Sequence, residues 1–250
     1  MQIRPNRVKR KLAAGEVACT VCGITAADDV ESFGPNDFDG IWIEGEHAAA
    51  EPAEISNLTR ACDIWGMTSV VRVNRNDQNL IYRTMDCGAQ GIVVPKVNTK
   101  AEALNVVEGG KFGPIGKRGM FSGRQGYGVS DYVSVANDEI LLIVLIEDIV
   151  AVENLEEILT VDHIDVFFVA PADLASSMGH TSEMNHPEAV AVREKAMKLI
   201  VDSGRTAGAL ATTDSATALV DMGVRFLLTP AQSWLAAGAA DFLKKAKGSK

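Results

Sequence analysis

The chain has 250 residues, of which 47% are hydrophobic and 23% are charged, and its formal net charge is -9 at pH 7. The length suits one large domain or two small ones, and the negative charge argues against nucleic acids and anionic membranes as partners. Residues 1–11 are basic and contain no apolar run of the kind that a secretory signal needs, and no apolar segment is long enough to cross a bilayer. Four cysteines without disulfide-type spacing indicate a reducing, cytoplasmic location.

The hydrophobic pattern predicts eight strands that alternate with helices. The predicted strands cover residues 17–23, 38–45, 69–73, 91–97, 140–146, 164–170, 206–211 and 224–228. The predicted helices cover residues 6–15, 26–33, 52–65, 78–87, 100–107, 151–159, 187–203, 216–222 and 233–243, and fraying is expected only in the tail 244–250. A long glycine-rich loop over residues 111–128 is of a length that is usually functional or mobile.

The run 140–146 is the clearest strand, because seven consecutive apolar residues are typical of a parallel strand covered on both faces. Strands start roughly thirty residues apart, which is the length of a βα unit. The pattern therefore predicts an α/β protein with a single-domain (βα)8 TIM barrel over residues 1–250. An open doubly wound sheet is the alternative, but the turn after strand one offers only Gly23 for a phosphate-binding loop.

Charged side chains cluster where the predicted strands end. They are Glu44, Glu46, His47, Arg72, Lys96, Glu147 and Asp173. Each alone is more often a solvated charge, but the loops after barrel strands converge on one pocket.

Glu147 and Asp173 are expected to share a divalent metal ion. Mg²⁺ binds through one or two carboxylates plus water and substrate oxygens, and Mn²⁺ or Co²⁺ could use the same ligands. Cys19 and Cys22 have CxxC spacing, but they lie in a predicted strand with their side chains on opposite faces. A zinc or redox role for them is therefore disfavoured.

His47 is the candidate general base, because imidazole titrates near neutrality, and a capping or surface histidine is the simpler alternative. Arg72 offers a planar fork for a carboxylate or an enolate, and an ion pair with Glu44 or Glu46 is the alternative. Lys96 could form a Schiff base, although an ion pair to a nearby carboxylate is preferred for it.

Seven short motifs follow one another in the sequence. They are Ile43-Glu-Gly-Glu-His47-Ala48, Val70-Val-Arg72-Val-Asn-Arg-Asn-Asp77, Asp86-Cys-Gly88, Val94-Pro-Lys-Val97, Gly116-Lys-Arg118-Gly119, Ile146-Glu147 and Ala170-Pro-Ala-Asp173-Leu174. Together they resemble the HpcH/HpaI aldolases, which are metal-dependent pyruvate aldolases of the 2,4-dihydroxyhept-2-ene-1,7-dioate and 2-keto-3-deoxy sugar-acid type. The resemblance runs from about residue 6 to the end of the chain.

The resemblance implies a barrel of the phosphoenolpyruvate/pyruvate type that reversibly cleaves a 4-hydroxy-2-oxo acid to pyruvate and an aldehyde through a metal-bound pyruvate enolate. It implies that Glu147 and Asp173 hold the metal and that the backbone of Ala172 and Asp173 contacts pyruvate. Relatives carry a substrate-contacting Gln where this chain has Leu145, so a polar contact to the substrate is expected to be missing. The family resemblance also implies a homotrimer or homohexamer with an exchanged C-terminal helix.

The resemblance further implies that Arg72 stabilises the enolate, that His47 is the base, and that Asp86 raises the basicity of His47, with contact across a subunit boundary as one option. Glu44 is one methylene longer than the acidic residue that opens this motif in the family.

Two alternatives stay open. One is a lyase or isomerase that acts on a CoA ester or on phosphoenolpyruvate, for which Lys117 and Arg118 in the glycine-rich loop could bind phosphate. The other is a non-catalytic metabolite-binding barrel.

Overall fold

The computed structural model describes residues 1–48 and 50–248, which form a closed barrel of eight parallel strands in sequential order, with β8 pairing back to β1. The strands are β1 (Ala18–Cys22), β2 (Gly40–Glu44), β3 (Thr68–Arg72), β4 (Gly91–Val94), β5 (Leu141–Ile146), β6 (Val166–Val169), β7 (Ala207–Leu210) and β8 (Phe226–Pro230). All eight predicted strands are present, and the predicted α/β TIM barrel is confirmed.

Helices surround the barrel. Those in the described part of the chain are α1 (Arg7–Ala13), α2 (Ala27–Phe33), α3 (Pro52–Ile64), α4 (Gln78–Asp86), α5 (Lys100–Gly110), α6 (Tyr132–Glu139), α7 (Ile149–Glu153), α8 (Leu155–Leu159), α9 (Pro171–Ser177), α10 (Pro187–Asp202), α11 (Ala216–Asp221) and α12 (Ala231–Lys247). None of the described helices is long and apolar enough to cross a membrane.

Three helical predictions need correction. The predicted helix 151–159 is two short helices, α7 and α8, that meet at Asn154, whose side chain donates a hydrogen bond to the Asn98 carbonyl at 2.9 Å. Helices α6 and α9 were not predicted, because each is short and α6 contains β-branched residues of modest helix propensity. Helix α12 continues to Lys247 instead of fraying at residue 244, and its terminal lysines suit the negative end of the helix dipole. Residues 249 and 250 lie outside the described residues.

The strand β5 is buried on both faces, as its sequence predicted. Leu141, Ile143 and Leu145 point into the barrel, while Leu142, Val144 and Ile146 pack against the helices. The same alternation packs Cys22 against the apolar residues inside the barrel and Cys19 against those between the strands and the helices. The two thiols of the CxxC segment therefore lie on opposite faces of β1, which is the predicted arrangement.

Helix α1 closes the end of the barrel at which the strands begin. Val8 is fully buried within the interior core, and its N–H donates to the Thr68 hydroxyl at 3.1 Å. Asn6 caps the helix and also donates to the carbonyls of Gln90 and Glu139. The barrel interior is therefore sealed on this side and can be reached only where the strands end.

The glycine-rich loop over residues 111–128 lies at the sealed end. Its Gln125 side chain donates to the Gly88 carbonyl at 2.7 Å, and that carbonyl also accepts from Ser69 at the start of β3. The buried Lys111, at the beginning of the loop, donates to the carbonyls of Asn137 and Ile140. The loop is thus packed against the base of the barrel, away from the carboxyl ends of the strands.

Candidate active site

A pocket of about 340 Å³ lies at the carboxyl ends of the strands. It is lined by Glu46, His47, Lys96, Asn98, Glu147, Asp148, Asp173, Ser176 and Ser177. These side chains follow four different strands, and this end of the barrel is where βα barrels carry their chemistry.

Glu147 and Asp173 are the carboxylates at the centre of this pocket. Glu147 follows the apolar strand β5 and is only 5% exposed, whereas Asp173 lies in the first turn of α9 and is exposed. Burial, followed by the charges of the nearby Asp173 and Glu46 carboxylates, raises the pKa of Glu147 to about 6. The Lys96 N–H, which donates to Glu147 Oε1 at 2.8 Å, and the Arg72 guanidinium act in the opposite direction.

Arg72 is held by two carboxylates at the mouth of β2. Its Nη2 contacts Glu44 Oε2 at 2.7 Å, its Nε donates to both Glu44 oxygens, and its Nη1 lies 3.2 Å from Glu46 Oε2. Burial alone would raise the pKa of Glu44, but the Arg72 guanidinium and the N–H groups of His47 and Glu46 hold that pKa below its ordinary value. The network fixes a cation beside the pocket in a single orientation.

His47 is the imidazole of this pocket. Its Nε2 lies 3.6 Å from Glu46 Oε2, and its side chain is 67% exposed, so a bound substrate can reach the ring. The backbone N–H of His47 donates to Glu44 Oε1 at 3.0 Å. Glu44 therefore orients both the arginine and the loop that carries the histidine.

Comparison with known proteins decides the family. A family model described as HpcH/HpaI aldolase/citrate lyase matches residues 24–237. The chain belongs to this family. It is 39% identical to a hydroxypyruvate/pyruvate aldolase from Cupriavidus necator over 81% of this chain and 77% of the relative, and 33% identical to a pyruvate aldolase from Rhizobium etli over 90% and 91%. An HpcH/HpaI aldolase/citrate lyase family protein from Burkholderia cenocepacia superposes with a TM-score of 0.91 at 26% identity, covering 97% of this chain and 100% of that one.

The pocket brings together most of the residues that the sequence singled out. Glu46, His47, Lys96, Glu147 and Asp173 line it, Arg72 reaches it through Glu46, and Glu44 supports both Arg72 and His47. Ala172 is exposed beside Asp173 in the first turn of α9. The structure therefore places these residues together at one end of the barrel, and their roles stay predictions.

Arg118 must be removed from the candidate site residues of a single chain. Its side chain is 1% exposed and its Nη2 contacts Asp86 Oδ1 at 2.8 Å, at the sealed end of the barrel. The exposed Lys117 pairs with Glu108 at 2.7 Å. The loop stands between α5 and β5, and connections from a helix to the next strand lie at the end where the strands begin. The loop therefore gives no support to phosphate binding at the pocket.

Asp86 lies at the same sealed end, because it terminates α4, the helix that leads into the start of β4. Within one chain it is bound to Arg118 and does not contact His47. Only the option of a contact across a subunit boundary stays open for the predicted Asp86–His47 pair.

Leu145 is 1% exposed and belongs to the core inside the barrel, below Glu147 and beside aromatic residues such as Trp42 and Phe168. Leu145 lies two residues before Glu147, but it does not line the pocket and makes no polar contact there. Cys22, whose side chain also packs inside the barrel, carries a thiol whose pKa is raised to about 11, mainly by burial. A neutral thiol is a poor metal ligand or nucleophile.

Asn98 is a pocket residue that the sequence analysis missed. Its Oδ1 is buried and has no hydrogen-bond partner within the described residues, although the pocket lies beside it. Ser176 and Ser177 also line the pocket and were missed because they lie in α9, which was not predicted. The position of Asn98 four residues after β4 was the signal that could have marked it.

The residues present fit a divalent cation. Glu147 is a buried carboxylate that accepts one N–H, beside the like-charged Asp173, and a cation between them would relieve the repulsion that raises the pKa of Glu147. The donors are all oxygens, which suits a hard divalent ion such as Mg²⁺. Asp148, the second carboxylate after β5, is instead used to cap α7 by accepting from the Val150 N–H at 2.9 Å.

Lys96 does not resemble a Schiff-base lysine. Its side chain is exposed, whereas an amine nucleophile of this kind is activated by desolvation or by a neighbouring cation. The preferred ion pair is absent too, since Lys96 Nζ forms no salt bridge to any residue that the structure describes. It is the backbone that contributes, because Lys96 has a φ of 55° and donates its N–H to Glu147.

Proposed function

We propose that this chain is a divalent-metal-dependent aldolase that reversibly cleaves a 4-hydroxy-2-oxo acid to pyruvate and an aldehyde. The observation that carries the proposal is the pair Glu147 and Asp173, which share one pocket with His47 and the Arg72 network. The pyruvate aldolase activities named for the relatives from Cupriavidus necator and Rhizobium etli support the same reaction class.

Glu147 and Asp173 would hold the cation, which when bound supplies Lewis-acid polarisation of the 2-oxo acid. Arg72 has five N–H donors, and its contacts to Glu44 and Glu46 leave some of them free for substrate. When the carbon–carbon bond of the substrate breaks, its electron pair is delocalised onto the keto oxygen of pyruvate. A fixed guanidinium nearby stabilises the negative charge that develops there.

His47 would remove the proton from the 4-hydroxyl group of the substrate as the aldehyde leaves, and return a proton in the direction of synthesis. Glu46, 3.6 Å from the imidazole, would orient the ring and stabilise its protonated form. The glutamate therefore links the base to the arginine, because its Oε2 contacts both side chains.

The proposed choice of metal follows from the chemistry of the donor atoms in the pocket. The carboxylates of Glu147 and Asp173 and the amide oxygen of Asn98 favour Mg²⁺, with Mn²⁺ or Co²⁺ as substitutes.

A cytoplasmic location is part of the proposal. The four cysteines are free, and free thiols persist in a reducing compartment such as the cytoplasm.

Assembly as a homotrimer or homohexamer through an exchanged C-terminal helix is part of the same proposal. Of the residues of α12, only Ala231 is buried, while Leu235 is 72% and Phe242 is 68% exposed. Apolar side chains exposed along one helix favour a protein partner. Light scattering that gave the mass of a single chain at micromolar concentration would contradict this part of the proposal.

The test of the activity is metal removal. EDTA-treated enzyme should lose pyruvate release from a simple 4-hydroxy-2-oxo acid, and Mg²⁺, Mn²⁺ or Co²⁺ should restore it. Borohydride reduction in the presence of pyruvate should leave Lys96 unmodified. Full activity after thorough metal removal, or a reduced adduct on Lys96, would instead support a Schiff-base mechanism.

A further inference from the structure

Three side chains suited to metal binding meet in the segment that joins α9 to α10. The ligand atoms of His180, Glu183 and His186 all lie within 4.8 Å of one another, and no other set of three such residues in the described parts of the chain is as close. This group, called the loop cluster below, contains none of the residues assigned to the aldolase pocket.

The backbone of the segment holds the three residues on one side. The Glu183 N–H donates to the His180 carbonyl at 3.0 Å, and the His186 N–H donates to the Glu183 carbonyl at 2.8 Å. These are two successive turns, and Ser182 in the first of them has a φ of 68°. The imidazole rings of His180 and His186 are stacked, with their centroids 3.6 Å apart and an interplanar angle of 13°.

A fourth potential ligand lies next to the loop cluster. Glu188 Oε2 is 3.1 Å from His180 Nε2, in the first turn of α10. The segment is also tied to α9, because the His180 N–H donates to the Ala175 carbonyl at 2.9 Å. The donors therefore come from a loop that is fixed to the helices on both sides.

Helix capping explains only part of this arrangement. His186 is the N-cap residue of α10, where its Nδ1 accepts from the Glu188 N–H at 3.4 Å. That role needs neither His180 nor Glu183, and it does not require the two rings to stack. A second imidazole and a carboxylate placed against the capping histidine are the features of a ligand set.

We propose that the loop cluster is a second metal site, for a borderline transition-metal ion such as Zn²⁺, Ni²⁺ or Co²⁺. Two imidazoles and a carboxylate match the donors that these ions prefer, in contrast to the oxygen donors Glu147 and Asp173. Nitrogen and oxygen donors bind Zn²⁺ at about 2.0–2.2 Å, so the ligand atoms need to approach one another by about 1–1.5 Å on binding. One imidazole also has to rotate out of the stack, because two parallel rings cannot both direct their in-plane lone pairs at one ion. Glu188 completes a four-ligand set.

Metal binding at the loop cluster would connect α9 to α10. Helix α9 carries Asp173, Ser176 and Ser177, which line the aldolase pocket, and Ser176 lies 3.3 Å from the Thr181 hydroxyl in the same segment. An ion held by His180 and His186 would therefore fix the rim of the pocket, and we expect it to raise the melting temperature.

The site can be tested by metal-binding stoichiometry in a Glu147→Gln background, which removes a ligand of the first site. After chelator treatment, this full-length variant should bind one equivalent of Zn²⁺ or Ni²⁺ by equilibrium dialysis, and excess Mg²⁺ should not displace the ion. Adding His180→Ala should weaken binding at least tenfold. Adding His186→Asn should do the same, while asparagine keeps a side-chain oxygen that can cap α10.

His163→Ala is the matched control, because His163 is an exposed loop histidine that precedes β6 at the opposite end of the barrel. It should leave both the stoichiometry and the affinity unchanged. The inference is overturned if the Glu147→Gln protein binds no Zn²⁺ or Ni²⁺ at 100-micromolar concentrations. It is equally overturned if the His180→Ala and His186→Asn proteins bind as tightly as the His163→Ala control.

Discussion

Arg72 combines a positive charge with a planar fork of N–H donors, and a substitution can remove one of these features without the other. The fork contacts Glu44 through Nε and Nη2 and Glu46 through Nη1. Lysine at this position would keep the charge but could not make these contacts together. We predict that Arg72→Lys folds and binds metal but loses about 10²–10³-fold in aldol cleavage, as for other groups that stabilise developing negative charge.

The same Arg72→Lys protein should lose pyruvate α-proton exchange to the same extent as cleavage, because both reactions pass through one enolate. Exchange can be followed by proton NMR in D₂O and cleavage by pyruvate release. Normal exchange with defective cleavage would contradict the assignment and make Arg72 a residue that binds the aldehyde.

His47 is exposed and contacts Glu46, so its removal should disturb little of the packing. We predict that His47→Ala loses about 10²–10⁴-fold in kcat, the range for a positioned general base, while the Mg²⁺ affinity stays within a few-fold of wild type. The pH profile of kcat/KM should lose the limb that reports the base. A His47→Ala enzyme with wild-type turnover and an unchanged profile would refute the role.

Asp86 has a structural role within one chain that is separate from any contact across a subunit boundary. It accepts a hydrogen bond from Nη2 of the Arg118 guanidinium, which is 1% exposed and whose Nε and Nη1 have no hydrogen-bond partner in the described structure. We predict that Asp86→Ala lowers the free energy of unfolding by about 3–5 kcal/mol, because it leaves a buried charge unpaired. Urea denaturation of the purified variant measures this.

Glu108→Ala is the control for Asp86→Ala, since Glu108 pairs with Lys117 at the surface and the loss of that pair should have a far smaller effect. Equal stability of the two variants would contradict the structural role of Asp86. A loss of kcat in Asp86→Ala that exceeds the loss of folded protein would support the contact with His47 across a subunit boundary.

At the scale of elements, the hydrophobic periodicity of the sequence was sufficient to predict the position of an element wherever that element is long or fully buried. The strand β5 covers six of the seven apolar residues predicted for it, and each of the four helices α3, α4, α5 and α10 begins at the predicted residue. Helices α6 and α9 escaped prediction because they are short and their position depends on tertiary contacts. The Phe112 ring, for example, packs edge-on against Tyr132 at the start of α6.

The end of α5 provides a prediction about pH at the element scale. Lys111 is 2% exposed, and burial, followed by the charge of Lys9, lowers its pKa to about 7, with Asp165 and Asp138 acting in the opposite direction. In the unfolded chain the pKa is about 10.4, so between about pH 7 and pH 10 the unfolded state binds more protons than the folded state. Lys111 therefore contributes a stability that increases with pH across this window.

We predict that wild type and Lys111→Met differ increasingly in free energy of unfolding as pH rises from 7 to 9, by on the order of 1 kcal/mol per pH unit. Urea denaturation at several pH values gives the difference directly. Wild type should be the more stable at pH 9, because methionine also leaves the carbonyls of Asn137 and Ile140 without their donor. A difference that does not change with pH would contradict the lowered pKa.

At the scale of the whole molecule, the sequence predicted which end of the barrel carries the site, because charges that follow parallel strands converge. The same rule places the 111–128 loop and Asp86 at the opposite end, because each lies at or after the end of a predicted helix and before the strand that follows it. The contact between Gln125 and Gly88 could not be predicted, because it depends on tertiary packing. The loop cluster could not be predicted either, since two consecutive turns are needed to bring His180 and His186 together.

The central claim is that metal bound by Glu147 and Asp173 is required to form the enolate of pyruvate. Exchange of the pyruvate methyl protons in D₂O tests it most directly, because the measurement does not depend on knowing the aldehyde. Metal-stripped wild type and Glu147→Gln should both exchange at the rate of the buffer, and Mg²⁺ or Mn²⁺ should restore exchange in the wild type only. Rapid exchange by the stripped enzyme, or by Glu147→Gln at wild-type rate, would contradict the account.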